Sequence, residues 1–108
     1  MCNIFAAIDP QAYASETRSV RLAGHVTSIR LEAAFWATLD QVAADQEVTL
    51  GRFLTKLHDE VLELHGDVIN FASLLRCACL VYAGNIRPDI ANRETLTAAA
   101  AQDFAVAM

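Results

Sequence analysis

The sequence predicts a mainly α-helical protein with one short β-strand that pairs with the same strand of a second chain. Three observations lead to this fold class. Residues 25–31 alternate between apolar and polar side chains, helical periodicity follows them, and no second strand of comparable quality comes later. An isolated strand leaves its backbone donors and acceptors unpaired. We therefore expect a dimer in which two such strands form an intermolecular, antiparallel, two-stranded ribbon.

The strand has two different faces, because successive side chains of a strand point in opposite directions. One face carries Thr27, Ile29 and Leu31. The opposite face carries Val26, Ser28 and Arg30. We expect Ile29 and Leu31 to be buried at the dimer interface, whereas the face with Ser28 and Arg30 should be exposed.

The remaining chain is divided by its glycines and prolines into an arm, a core and a tail. The arm is predicted over residues 1–24, the core over 25–84 and the C-terminal tail over 85–108. Within the arm, residues 19–22 are a candidate for a short extended piece before a turn at Ala23-Gly24. The tail is rich in alanine and is a candidate for a weak helix.

Two amphipathic helices are predicted after the strand. The first begins near Glu32, where the helix dipole favours an acidic side chain. Its apolar stripe consists of Phe35, Leu39, Val42 and Ala43. The pair Val48-Thr49 interrupts this pattern, and Thr49 is a suitable N-cap for a second helix that ends at Gly66.

A third helix is predicted over residues 71–82, where Asp67 or Asn70 could cap its start. This segment is apolar nearly all round, and Arg76 is its only charged residue. A helix of this kind is buried on several sides, and it is too short to cross a membrane. We therefore expect it to lie in the core and to contribute Leu75 to a subunit interface.

The composition agrees with one small domain that buries apolar surface between subunits. Hydrophobic residues make up 55% of the 108 residues and charged residues 19%, which is more apolar than a solvated monomer of this length needs. No apolar run approaches the roughly 20 residues that span a bilayer, and the N-terminus lacks the basic start of a secretory signal. We expect a cytoplasmic protein without contact with a membrane.

The net charge of −5 is unfavourable for a nucleic-acid partner, but the charges are segregated along the chain. Residues 1–31 contain three arginines and two acids, whereas residues 32–66 contain two bases and seven acids. From residue 17 to residue 31 there is no acid at all. Two copies of this segment in a dimer would concentrate six arginines on one surface.

A strand with a polar outer face, followed closely by two amphipathic helices, resembles the ribbon-helix-helix family of repressors. The resemblance depends on residues 27–32, on the pair Phe35-Trp36 at the start of the first helix, and on Thr49 at the start of the second. Residues 1–84 are more specifically similar to a group of bacterial ribbon-helix-helix proteins without an assigned role. The shared positions are Met1-Cys2, Asp9-Pro10, Thr17-Arg18-Ser19 and Asn70-Phe71.

The resemblance implies a dimeric ribbon that enters the major groove of DNA and reads base edges with its outward side chains. On this chain those side chains are Val26, Ser28 and Arg30. Arg30 is the strongest candidate, because its guanidinium can bond guanine O6 and N7 together. Val26 departs from the polar residue that is usual in the family, so it could contact a thymine methyl group or indicate weak specificity.

The resemblance also implies that the start of the second helix holds a DNA phosphate, and the free backbone amides after Thr49 suit that role. The candidate phosphate contacts are Arg18, Arg21, Thr49, Leu50 and Arg52. Gly51 and the acids that follow on the same helix count against this role. Arg18 and Arg21 could equally belong to an exposed arm that makes no contact with DNA.

The function that these features favour is a homodimeric, DNA-binding transcription regulator that reads a short inverted repeat and represses its own promoter. The alternative is a protein-interaction module, an antitoxin-like or adaptor dimer that binds a partner protein through the third helix and the tail. We expect no enzymatic activity, cofactor or metal, because no catalytic constellation stands out and His58 and His65 lie too far apart for a typical helical metal pair. The sequence leaves open the target site, any effector and whether dimers pair into tetramers.

Overall fold

The structure, a computed structural model, describes residues 2–84. This part of the chain consists of a two-stranded sheet and four α-helices, with a short 3₁₀ helix near the N-terminus. In chain order the elements are α1 (Cys2–Ala6), the 3₁₀ helix (Pro10–Tyr13), β1 (Ser15–Leu22), β2 (His25–Glu32), α2 (Ala33–Asp45), α3 (Leu50–His65) and α4 (Phe71–Tyr82). Both strands and the helices α1 to α3 belong to a compact unit that ends at Arg76.

The two strands form an antiparallel hairpin, in which Leu22 and His25 pair next to a two-residue turn. Both turn residues, Ala23 and Gly24, have positive φ angles, 52° and 83°. Positive φ at both positions gives a turn whose twist matches that of the flanking strands. The prediction of a single strand is therefore wrong, because residues assigned to the N-terminal arm supply a second strand. One edge of β2 is already paired with β1 and needs no partner chain. The intermolecular ribbon stays a prediction.

Each strand turns one face towards the helices and the other outwards, as the alternation predicts for β2. On β2, Ile29 and Leu31 are buried, with 5% and 0% of their surface exposed. On β1 the less exposed positions are Arg18, Val20 and Leu22, and only Leu22 is fully apolar and buried. An arginine thus occupies a position on β1 where an apolar side chain would be expected.

The first predicted helix is α2, which packs against the sheet with Trp36, Leu39, Val42 and Ala43 buried. Its stripe differs from the predicted one at the start, because Trp36 rather than Phe35 is fully buried. Phe35 is half-buried and lies beneath the guanidinium of Arg76, 5.8 Å from the ring centre. The helix turns by about 100° per residue, so a shift of one position at its start selects the larger side chain for the core.

The second and third predicted helices are confirmed as α3 and α4. Thr49 caps α3, because its hydroxyl oxygen accepts a hydrogen bond from the Arg52 amide at 3.1 Å. Gly66 ends α3 in the left-handed conformation, with a φ of 84°, as is usual for glycine at this position. Within residues 2–84, no helix combines the length and apolar character that a membrane span requires.

The residues predicted for the dimer interface lie in the core of a single chain. Leu31 and Leu75 have no exposed surface, and Ile29 has little. A partner chain could therefore not bury Leu31 or Leu75 any further, and contact between subunits would have to involve other residues. The predicted C-terminal tail, residues 85–108, lies outside the described residues.

A cluster around Trp36 joins β1 to α2. The indole Nε1 of Trp36 donates a hydrogen bond to the carbonyl oxygen of Glu16 at 2.8 Å. The guanidinium of Arg18 lies 4.7 Å from the ring centre of Trp36 and forms ion pairs with Glu16 at 2.7 Å and Asp40 at 3.2 Å. The hydrogen bond to Glu16, as the largest cause, and the interactions with Asp40 raise the pKa of Arg18. Stacking on an aromatic face explains how an arginine can occupy the inner side of β1.

Candidate nucleic-acid interface

The outer face of the hairpin is an exposed polar surface built from both strands. The register pairs Thr17 with Arg30, Ser19 with Ser28 and Arg21 with Val26. All six side chains are exposed and lie on the same side of the sheet, because directly paired residues of an antiparallel sheet share a face. We call Thr17, Ser19, Arg21, Val26, Ser28 and Arg30 the outer face.

The predicted base contacts all lie on this outer face. Val26, Ser28 and Arg30 project from alternate positions of β2, and Val26 is 65% exposed although it is apolar. The contribution of β1 was missed, although Thr17 and Ser19 stand directly opposite Arg30 and Ser28. The alternation of polar residues along β1 could have indicated it, but this pattern contains few of the β-branched and aromatic residues that mark a strand.

The two outer edges of the hairpin differ in their hydrogen bonding. On β1, the carbonyl of Arg21 accepts a hydrogen bond from the hydroxyl of Thr55 at 2.8 Å. On β2, no hydrogen bond from outside the hairpin reaches the backbone of residues 25–31 in the described part of the chain. The edge of β2 is therefore the more open one for pairing with another strand.

A groove of about 550 Å³ lies beside β2. Residues of the strand, including Thr27 and Ile29, line one part of it, and His58, Val68 and Phe71 line another. His58 packs edge-on against Phe71, with 5.3 Å between the ring centres. An open strand edge next to a partly apolar groove is the arrangement that accepts an additional strand, because backbone bonds and side-chain contacts can form together.

A cleft joins the hairpin turn to the start of α3, and we call it the basic cleft after its three cations. This open cleft has a volume of about 660 Å³ and brings together Arg21, Arg52 and Lys56. Arg21 and Arg52 were predicted as phosphate contacts from separate segments, whereas Lys56 was not predicted. Lys56 lies one helical turn after Arg52, so the two side chains share a face of α3.

The start of α3 offers backbone amides to the same region. The Thr49 hydroxyl accepts a hydrogen bond from the Arg52 amide, so Thr49 caps α3 as predicted, whereas its contact with a phosphate stays a prediction. The amide of Phe53 bonds the carbonyl of Thr49 at 3.0 Å. The amides of Leu50 and Gly51, at the first positions of the helix, have no partner among the described residues. Leu50 is half-buried, so only its backbone is suited to contact a phosphate.

The cations of the described part divide into two groups. Arg18 is paired with Glu16 and Asp40, and Arg76 is paired with Glu32 at 2.9 Å. The hydrogen bond from Arg76 is the main reason that the pKa of Glu32 is lowered. No carboxylate lies within ion-pair distance of the other four cations in residues 2–84. These four are Arg21, Arg30, Arg52 and Lys56, and all of them lie on the outer face or in the basic cleft.

The basic cleft also contains three acidic residues, as many as its cations. Asp59, Glu60 and Glu63 also line it and lie further along α3. A polyanion is attracted to the start of α3 and repelled by its later turns, which favours contact at the end of the helix nearest the hairpin turn. Among residues 2–84, no group of three or more His, Cys, Asp or Glu side chains could hold a metal ion.

Comparisons with known proteins agree with this architecture. A model of the ribbon-helix-helix domain matches residues 15–83, a range that begins at the first residue of β1. The chain is also similar to the solved structure of an uncharacterized protein from Bordetella pertussis Tohama I, with 37% sequence identity and a TM-score of 0.75. That match covers 82% of this chain and 74% of the other. Among curated proteins, none matches the chain.

Proposed function

The chain belongs to the ribbon-helix-helix domain family, and on this basis we propose that it is a homodimeric transcription regulator that binds double-stranded DNA through the outer face. Members of this family are generally DNA-binding regulators or antitoxins, and the fold is not an enzymatic one. The observation that carries the proposal is the position of the four unpaired cations. Arg21 and Arg30 lie on the outer face, which contains no acid, and Arg52 and Lys56 lie in the cleft at the start of α3, although the chain as a whole is acidic.

The dimer in this proposal forms through the open edge of β2. Two β2 strands pair antiparallel across a two-fold axis through their open edges. Each β2 strand therefore lies beside the groove of the other chain. The resulting sheet has the order β1, β2, β2, β1, with all outer faces on one side. A dimer with two-fold symmetry binds a DNA site with the same symmetry, so the target is an inverted repeat.

The proposed contacts with DNA follow from the side chains of the outer face and of the basic cleft. Arg30 bonds guanine and Ser28 bonds a neighbouring base, while Val26 can contact only an apolar group such as the thymine methyl. Arg21, Arg52 and the amides at the start of α3 contact phosphates, and Lys56 joins them. The proposal assigns no phosphate to Arg18, because two carboxylates already hold its guanidinium.

The basic cleft can be tested by the salt dependence of DNA binding. We expect Arg52→Gln and Lys56→Gln each to flatten the plot of log affinity against log salt by about two units for a dimer, since each removes one phosphate contact per chain. The matched control is Glu63→Gln, which removes a charge from the same helix and the same cleft. It should leave the slope unchanged and strengthen binding slightly. Unchanged slopes for both basic variants would show that the cleft does not contact DNA.

A second candidate function, a protein-interaction module, is favoured by exposed apolar side chains rather than by the cations. Ile4 and Phe5 on α1 are 75% and 65% exposed, and Ile8 and Tyr13 follow. The third predicted helix, α4, also exposes Leu80 and Tyr82, while the tail lies outside the described residues. In this candidate the dimer binds a protein and shows no salt-dependent affinity for DNA, which separates the two functions.

A further inference from the structure

We propose that Thr17, Ser19 and Arg21 of β1 contact DNA phosphates, so that the two β1 strands of a dimer bind the backbones on either side of the major groove. In this arrangement β2 alone contacts the bases. This inference rests on the proposed function and divides the outer face by strand. It gives a role to β1, which the sequence indicated only as an extended piece over residues 19–22.

Both strands of the hairpin reach the same surface. Ser19 stands directly opposite Ser28, and Thr17 stands opposite Arg30. All four side chains are exposed. A ligand that contacts the outer face of β2 therefore lies within a few ångströms of β1, because neighbouring strands are about 4.8 Å apart.

The open edge decides which strand lies at the centre of the dimer. The outer edge of β1 already accepts a hydrogen bond from Thr55 at the carbonyl of Arg21. The backbone of β2 from residue 25 to residue 31 receives none from outside the hairpin in the described part of the chain. Pairing of two chains through β2 consequently places the two β1 strands on the outside of a four-stranded sheet.

The width of that sheet exceeds the width of the groove. Four strands at about 4.8 Å spacing place the two outer strands about 14 Å apart. The major groove is about 12 Å wide and admits a two-stranded ribbon. The central β2 strands can therefore face the bases, whereas the β1 strands lie over the sugar-phosphate backbones on either side.

The side chains of β1 have the chemistry that this position requires. Serine, threonine and arginine side chains supply many of the hydrogen bonds that proteins donate to DNA phosphates. Glu16 is the nearest acid on β1, and its carboxylate is held by Arg18 at 2.7 Å. Arg21 also lines the basic cleft with Arg52, so the phosphate contacts continue from β1 to the start of α3.

The decisive experiment compares Ser19→Ala with Ser28→Ala. These two substitutions remove the same hydroxyl from directly opposed positions of the same face, so they differ only in the strand. Binding is measured to a duplex selected from a random library and to a duplex of random sequence, over a range of salt concentrations. Thermal melting verifies that both variants fold like the wild-type chain.

For Ser19→Ala we expect about a tenfold loss of affinity for both duplexes, since each chain of the dimer loses one hydrogen bond. The base preference and the salt slope should not change, because a hydroxyl carries no charge and releases no counterion. Ser28→Ala should instead change the preference at one base position in each half-site. Arg21→Gln should flatten the salt slope by about two units for a dimer.

Other results would overturn the inference while leaving the proposed function intact. A change of base preference in Ser19→Ala would mean that β1 enters the groove, and full affinity in that variant would mean that β1 does not touch DNA. If the wild-type chain shows no salt-dependent binding to either duplex, the proposed function fails and the inference fails with it.

Discussion

Replacing Trp36 with alanine is expected to destabilise the chain by about 3–5 kcal/mol, the usual cost of removing a large buried aromatic side chain. Trp36 has no exposed surface and lies at the junction of β1 and α2. The substitution would leave a cavity, remove the donor to the Glu16 carbonyl and take away the ring on which Arg18 stacks. The free energy of unfolding in urea measures the effect, at one fixed protein concentration because assembly couples to stability.

Two further variants separate the contributions around Trp36. Trp36→Phe keeps most of the buried volume but loses the indole donor, so we expect a smaller cost of about 1–3 kcal/mol. Tyr13→Ala is the matched control, because Tyr13 is also an aromatic residue but is 61% exposed. Its free energy of unfolding should change by less than about 0.5 kcal/mol. A Trp36→Ala chain as stable as the wild type would contradict the position of the ring in the core.

Replacing Arg30 with alanine is expected to weaken the specific DNA complex by about 1–3 kcal/mol for each guanine that the arginine no longer bonds, and a symmetric dimer bonds two. Folding should be unaffected, because the Arg30 side chain is exposed on the outer face and points away from Ile29 and Leu31. Titration of the selected duplex, with the melting temperature as a check on folding, measures the effect. An unchanged affinity would exclude Arg30 as a reader.

The conservative variant Arg30→Lys distinguishes recognition from simple attraction. Lysine keeps the positive charge but lacks the planar fork that bonds O6 and N7 of guanine together. We expect the salt slope of Arg30→Lys to stay close to that of the wild type, while its preference for guanine decreases. Equal loss of affinity for every sequence would indicate that Arg30 contacts a phosphate instead.

The helices could be predicted from the sequence because their signals are local and redundant. The N-cap Thr49 and the C-cap Gly66 bound α3, and the apolar run at residues 71–82 coincides with α4. The cap acts through a hydrogen bond to an amide three residues away, so neighbouring residues suffice to recognise it.

The sequence predicted an extended piece over residues 19–22 and the turn at Ala23-Gly24, but the full length of β1 and its pairing with β2 were not predicted, because two signals of the hairpin are unusual. The turn requires positive φ at both central residues, a conformation that favours Asn-Gly or Gly-Gly, yet Ala23 occupies the first position with a φ of 52°. On β1, Arg18 stands at an inward position and is accepted there only because Trp36 and Asp40 lie in contact with it. These partners are distant in the sequence, so no local pattern reveals them.

The candidate site was predicted only in part, because some of its residues are brought together by contacts between distant parts of the sequence. The positions of Val26, Ser28 and Arg30 follow from the alternation of β2 alone. The basic cleft depends on the approach of the hairpin turn to α3, which the hydrogen bond from Thr55 to the Arg21 carbonyl fixes. That hydrogen bond joins residues 34 positions apart. Because the sequence does not reveal this contact, it could not indicate that Lys56 lies in the cleft.

Sedimentation of the wild-type chain, alone and with a duplex selected from a random library, would reveal whether two β2 strands form a reader of DNA. We expect a dimer at micromolar concentration without DNA, and a complex of two chains per duplex whose affinity falls steeply as salt is added. The selected duplex should contain an inverted repeat. A stable folded monomer, or a dimer that binds no duplex at any salt concentration, would contradict a DNA reader formed by two β2 strands.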